Sequence, residues 1–107
     1  MKKQSVMTSQ VYDILAQVPE GKVTTYADIA RALGYSIAFR RIGQILSKNP
    51  NLIAVPCHRV VMSNGNIGGY ALGKTRKKEL LKKEGLRFIG DRIADFERYR
   101  IALKGLR

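Results

Sequence analysis

The chain has 107 residues, of which 45% are apolar, so it suits one folded domain with a real core and does not suit two. A net charge of +12 and a pI near 10.3 favour a polyanionic partner, with two readings open: a nucleic-acid footprint or a generally basic solubilising surface. One cysteine excludes an internal disulfide, one histidine adds too little for a soft-ligand zinc site, and there is no long apolar run or signal-peptide pattern; no metal, cofactor or membrane partner is expected, and the expected location is cytoplasmic.

From Ser9 to Val18, the apolar residues Val11, Ile14, Leu15 and Val18 recur at helical spacing until Pro19-Glu20-Gly21 stops them. Lys22-Val23-Thr24 is too short for more than a strand fragment or connector. Thr25-Tyr26-Ala27-Asp28 fits a helix-capping pattern. Tyr26, Ile29, Ala30 and Leu33 then mark one face of a second helix, closed by Gly34.

Beyond the turn at Gly34-Tyr35-Ser36, Phe39, Ile42 and Leu46 form an apolar stripe, and Arg40, Gln44 and Lys48 form a polar one at four-residue steps. Asn49-Pro50 ends that helix. Two short helices across a tight turn, the second basic on its open face, fit a helix-turn-helix; they equally fit an ordinary helical hairpin.

Further on, Val60-Val61-Met62 and Ile67 flank Asn64-Gly65, the dipeptide of a tight hairpin, so a small wing is expected there. Lys74 to Glu84 reads as a helix capped by Gly85, with Leu80-Leu81 as its apolar contact. Arg87 to Arg107 reads as a short strand followed by a basic amphipathic helix, with Ile93, Phe96 and Leu103 on one side. The fold class expected is mainly α: a winged helix-turn-helix-like domain with a small β-hairpin.

The densest chemistry lies in Val55-Pro56-Cys57-His58-Arg59-Val60-Val61. Pro56 fixes its own φ and holds Val55 extended, so Cys57 starts on a loop or strand edge. A thiol near pKa 8.5 needs positive charge or a base to become the nucleophilic thiolate, and His58 and Arg59 are candidates for both. The alternative is an inert, buried cysteine beside a packing histidine.

Gly68-Gly69-Tyr70-Ala71-Leu72-Gly73-Lys74-Thr75 matches the P-loop pattern letter for letter. A P-loop also needs a parallel sheet around it and an acidic metal ligand on a later strand, and the remaining sequence supplies neither. The glycines read better as turn and close-approach positions.

Pro56-Cys57-His58-Arg59-Val60-Val61 resembles the active-site signature of the methylated-DNA-protein-cysteine methyltransferases, the O6-alkylguanine-DNA alkyltransferase family. The resemblance extends back through Gly21-Lys22-Val23-Thr24-Thr25-Tyr26, Arg40, Gly43 and Asn49-Pro50. Forward, it runs through Ser63-Asn64-Gly65, Gly68-Gly69-Tyr70, Gly73, Lys77, Leu80-Leu81 and Glu84-Gly85, covering about residues 11–88 without a gap.

It implies that residues 1–107 are one domain of the family's C-terminal, DNA-binding type, with the N-terminal family domain absent. It also implies DNA repair by a monomer, through stoichiometric, irreversible transfer of the alkyl group from O6-alkylguanine in duplex DNA to Cys57 after base flipping. Cys57 would be nucleophile and acceptor, His58 its base through a water, and Glu84 the carboxylate orienting His58. Tyr26 would meet the flipped nucleotide and donate a proton to the departing guanine, and Asn49 would brace the loop below the active-site turn. Arg40 would fill the vacated stack on a DNA-facing helix shared with Arg41, Gln44 and Lys48, while Val55, Pro56, Tyr70 and Ala71 would line the base pocket.

Two departures bear on these roles. Phe39, Arg41, Gln44 and Ile45 are larger than the small residues usual beside the family's arginine, which bears on how deeply that helix seats in a groove. Ala71 stands where many members carry a serine. Two other readings remain: an alkyltransferase-like lesion binder without transfer, a group that usually replaces the cysteine, and a winged-helix regulator.

Overall fold

The computed structural model of the protein describes residues 6–34, 39–48 and 55–103. Helix α1, Val6–Leu15, begins ahead of the expected Ser9 and carries Val11, Ile14 and Leu15 wholly inside; Val18 follows them in the turn beyond. The chain then enters strand β1, Thr24–Thr25, both residues buried. Thr25 caps helix α2, Tyr26–Ala32, by accepting the Asp28 N–H at 3.0 Å, as the capping pattern requires.

Helix α3, Phe39–Ser47, packs on α2 through Ile42, Ile45 and Leu46. Ile45 corrects the sequence reading: it lies inside the core, because it follows Ile42 by three residues on one helix face. Arg40, Arg41, Gln44 and Lys48 are exposed.

Pro56 leads into a 3-10 turn at Cys57–Arg59, which runs into strand β2, Val60–Val61. This strand pairs in parallel with β1, Thr24 opposite Val60 and Thr25 opposite Val61. Successive strand residues face opposite ways. Val60 accordingly joins the cluster of α1, α2 and α3, and Val61 joins a second cluster with Val23, Leu81, Leu86, Ile93 and Phe96.

The Asn64-Gly65 turn forms, but the hairpin expected from it does not extend. Met62 N–H donates to the Asn66 carbonyl and Gly65 N–H to the Met62 carbonyl, both at 2.9 Å. Gly65 has φ +88°, and a Cβ there would stand 3.0 Å from the Phe96 ring, so only glycine fits. Ile67 donates instead to the Asp91 carbonyl at 2.8 Å, beside the later wing.

Helix α4, Lys74–Lys83, ends at the cap residue Glu84 and at Gly85, with φ +102°. The small antiparallel wing is built from β3, Phe88–Ile89, and β4, Arg92–Ile93. The C-terminal amphipathic helix expected from the sequence is cut short: α5 is one turn, Phe96–Tyr99, and Arg100 beyond it is extended and bridged to Val23. Val23 holds this segment, donating to Tyr99 and accepting from Ile101, and Arg100 grips both carboxylate oxygens of Asp28 at 2.7 and 2.8 Å. Among the described residues, no helix is long and apolar enough to cross a membrane.

Candidate active site and nucleic-acid interface

Cys57 is 5% exposed and forms part of the floor of a cavity of about 290 Å³. α2 contributes Tyr26 to the wall, α3 contributes Gly43, Leu46 and Ser47, and the segment before α4 contributes Gly69, Tyr70 and Ala71. The thiol donates to the Leu46 carbonyl across 3.8 Å. Tyr26, Tyr70 and Ala71 thus meet at Cys57. Val55 and Pro56 do not line this cavity: Val55 packs on the helical core, and Pro56, which caps the 3-10 turn, is buried. Asn49 lies outside the described residues.

Behind Cys57 lies a buried polar network. His58 Nε2 and Glu84 Oε2 are 2.6 Å apart although 26 residues separate them in sequence. Arg59 holds the same carboxylate from two nitrogens, at 3.0 Å and 2.9 Å, and donates a third bond to the Val18 carbonyl at 2.9 Å. The Gly21 N–H adds a bond at 3.2 Å to Glu84 Oε1. Burial alone would raise the Glu84 pKa; the bonds from Arg59, His58 and Gly21 outweigh it and hold the carboxyl below its ordinary range. His58 Nδ1 is buried without a hydrogen-bond partner among the described residues.

Three phenols lie close enough to Cys57 to feel its charge. Burial first, and then the charge of the Cys57 thiolate, raise the pKa of Tyr12, Tyr26 and Tyr70, which keeps them neutral donors. One buried cation in the neighbourhood went unassigned by sequence reasoning. Lys77 is 0% exposed, and burial brings its pKa down to about 7. Its signal was available: it sits four residues before the buried Leu81, on the same helix face.

The P-loop-like stretch does not build a phosphate cradle. Lys74 reaches Asp91 at 2.7 Å, and the nearest parallel sheet is the pair of two-residue strands β1 and β2. Two larger, shallower depressions, about 580 and 560 Å³, lie along the C-terminal segment, and neither is lined by a cysteine or a histidine.

The family model described as "6-O-methylguanine DNA methyltransferase, DNA binding domain" matches residues 6–86. The chain belongs to this family. A bifunctional methyltransferase/endonuclease of Picrophilus torridus is 46% identical over 92 residues, 86% of this chain and 30% of the relative. A methylated-DNA-protein-cysteine methyltransferase of Saccharolobus solfataricus is 48% identical over 77 residues, 72% of this chain and 49% of the relative. The chain thus spans less than half the length of these curated relatives. S. pombe Atl1, solved in complex with damaged DNA containing O6-carboxymethylguanine, superposes with a TM-score of 0.78 at 29% identity, covering 94% of this chain and 98% of that one. The helical architecture with small strands is that of the alkyltransferase DNA-binding domains.

Proposed function

We propose that the protein repairs DNA by taking the alkyl group of O6-alkylguanine onto Cys57, once per molecule. The observation carrying this reading is a cysteine on the floor of a small cavity, backed by the His58–Glu84 pair, in a chain of this family. The cavity lies near the low end of the roughly 300–1,000 Å³ usual for small-ligand pockets, so the base must leave the duplex stack to reach the sulfur.

With Nε2–H donating to Glu84, Nδ1 is the ring nitrogen with a lone pair to receive the thiol proton, through a bridging water. The thiolate attacks the alkyl carbon, the S–C bond forms as the C–O6 bond breaks, and the electron pair moves into the guanine. Tyr26 supplies a proton to the departing base. A thioether has no leaving group for a second cycle, so one protein repairs one lesion, and the displacement balances without a cofactor.

The outward face of α3, with Arg40, Arg41, Gln44 and Lys48, is the duplex-facing surface in this reading, and Arg40 occupies the place of the flipped base. The match to nearly all of S. pombe Atl1 favours a second reading, lesion binding without transfer. Cys57 distinguishes the two. Mixed with excess duplex containing O6-methylguanine, the protein is expected to gain the mass of one methyl group on the peptide carrying Cys57, and then to stop. Cys57→Ala is expected to gain none while still binding the lesion. Unmodified wild-type protein with its thiol reduced and the lesion bound would leave the binding reading standing alone.

A further inference from the structure

Lys77 is buried completely, and its ammonium has no carboxylate partner among the described residues. It donates instead to two backbone carbonyls, Val60 at 2.6 Å and Gly69 at 2.8 Å. Val60 begins β2, directly after the turn that carries Cys57; Gly69 belongs to the cavity wall beside Tyr70 and Ala71. One side chain therefore ties the backbone leaving the nucleophile to the backbone of the cavity lip. Gly68 lies beside this tether, where its φ of +70° suits glycine; a Cβ there would be in ordinary contact with Lys77 Nζ at 3.7 Å and tight only against Met62 Cγ, at 3.3 Å.

An ammonium in such a place is costly, and an apolar side chain of similar length would fill the same volume. The titratable groups facing it are Cys57 from the 3-10 turn and Tyr26 from α2, whose ring lies across Gly68. Burial lowers the Lys77 pKa, and the charge at Cys57 raises it. Coupling of this kind is reciprocal: what the thiolate does for the ammonium, the ammonium does for the thiolate.

We propose that Lys77 is a positioning residue for transfer at Cys57: its ammonium fastens the cavity lip to the strand leaving the nucleophile and holds a positive charge behind the thiolate. The proposal rests on the alkyl-transfer reading of the site. Because Lys77 begins to lose its proton near neutrality, alkaline conditions that favour the thiolate also remove its support. The transfer rate then falls on the alkaline side, giving a maximum in place of a plateau.

Two measurements test it. In the DNA-free protein, lysine side-chain NMR, with Lys77 assigned through its backbone, should show Lys77 titrating near neutral pH. In Cys57→Ser it should titrate lower by about one unit, a tenfold change in the proton equilibrium. An ordinary lysine titration, or the same midpoint in both proteins, would overturn the proposal. In single-turnover transfer from O6-methylguanine duplex, Lys77→Met should lower the saturating rate about tenfold near neutral pH, remove the alkaline decline and leave duplex affinity unchanged. Weakened affinity at an unchanged saturating rate would assign Lys77 to the DNA surface and overturn the proposal. If Lys77→Met does not fold, the wild-type and Cys57→Ser titrations decide alone. A wild-type protein that takes no methyl group would end the alkyl-transfer reading, while the NMR coupling would still be read independently.

Discussion

Helices α3 and α4 are both basic, and they use most of their charge differently. On α3, Arg40 and Arg41 are exposed, as is Lys48 just beyond it, and none forms an ion pair among the described residues; Arg41 reaches only the neutral Gln44, at 3.4 Å. On α4, Lys74 pairs with Asp91, Lys78 reaches the Gly90 carbonyl at 2.6 Å, Arg76 faces Glu79 at 3.8 Å and Lys77 is inside, which leaves Lys82 and Lys83 in the last turn exposed and without an ion pair among the described residues. Its capping residue, Glu84, also points inward, onto His58 and Arg59. A count of basic residues would rank α4 as the nucleic-acid helix. On the proposed reading α3 faces the duplex instead: its cations all lack acidic partners among the described residues and would gain a new counter-charge from phosphate, whereas on α4 this holds only for the last two lysines.

The largest effect expected concerns the inward charges. Glu84→Gln leaves Arg59 and His58 facing a neutral amide in a buried network, so unfolding at neutral pH should show a loss of about 3 kcal/mol. Glu84 carries a lowered pKa, so its contribution is present above the ordinary carboxylate value and is lost as pH falls through the lowered one. Wild-type stability should therefore drop more steeply on acidification than that of Glu84→Gln. Parallel curves would detach Glu84 from the interior network.

Next in size comes the outward face. Replacing Arg40, Arg41 and Lys48 together with alanine should weaken binding to undamaged duplex more than tenfold at low salt and reduce the log–log salt slope by about three. Lys74→Ala with Lys78→Ala should leave that slope nearly unchanged. Equal losses from the two sets would erase the contrast between the helices. Within the first set, Arg40→Ala should slow repair of duplex lesions more than reaction with a free alkylated base, as competition kinetics with both substrates would reveal. The smallest change is Asp91→Asn, which releases Lys74 and Lys78: non-specific duplex binding should rise slightly at low salt, and a fall would mean that Asp91 shapes the interface.

Legibility in the sequence tracked the range of the interactions. Helical spacing sufficed for α1 and α2, and the Thr25-to-Asp28 cap could be read because its partners are three residues apart. The partner of Val60-Val61 could not be read, because parallel pairing with Thr24-Thr25 crosses more than thirty residues and leaves no local pattern. The same limit applies to Glu84: by itself a carboxylate at a helix end, it entered the site only through the family resemblance, and the 2.6 Å contact with His58 gives it a place in space. Ile45 and Lys77 were misjudged or passed over by residue type, although helix geometry places both on inward faces. Val55 and Pro56 entered the pocket only through the family resemblance, and neither lines the cavity at Cys57 although Pro56 caps the turn that begins there.

The grip of Arg100 on Asp28, 72 residues earlier, has a consequence for the order in which the protein can be made. Asp28 belongs to the first turn of α2, and Val23, just ahead of it, takes its backbone partners from Tyr99 and Ile101. On a ribosome, helices α1, α2 and α3 emerge well before these partners exist. The early helices can gather around their apolar cluster, but the brace beside Tyr26 closes only when the segment around Arg100 has cleared the exit tunnel. A nascent chain halted ahead of Tyr99 should therefore be cut by protease near Val23, and one carried on a C-terminal linker long enough to bring Ile101 out of the tunnel should resist.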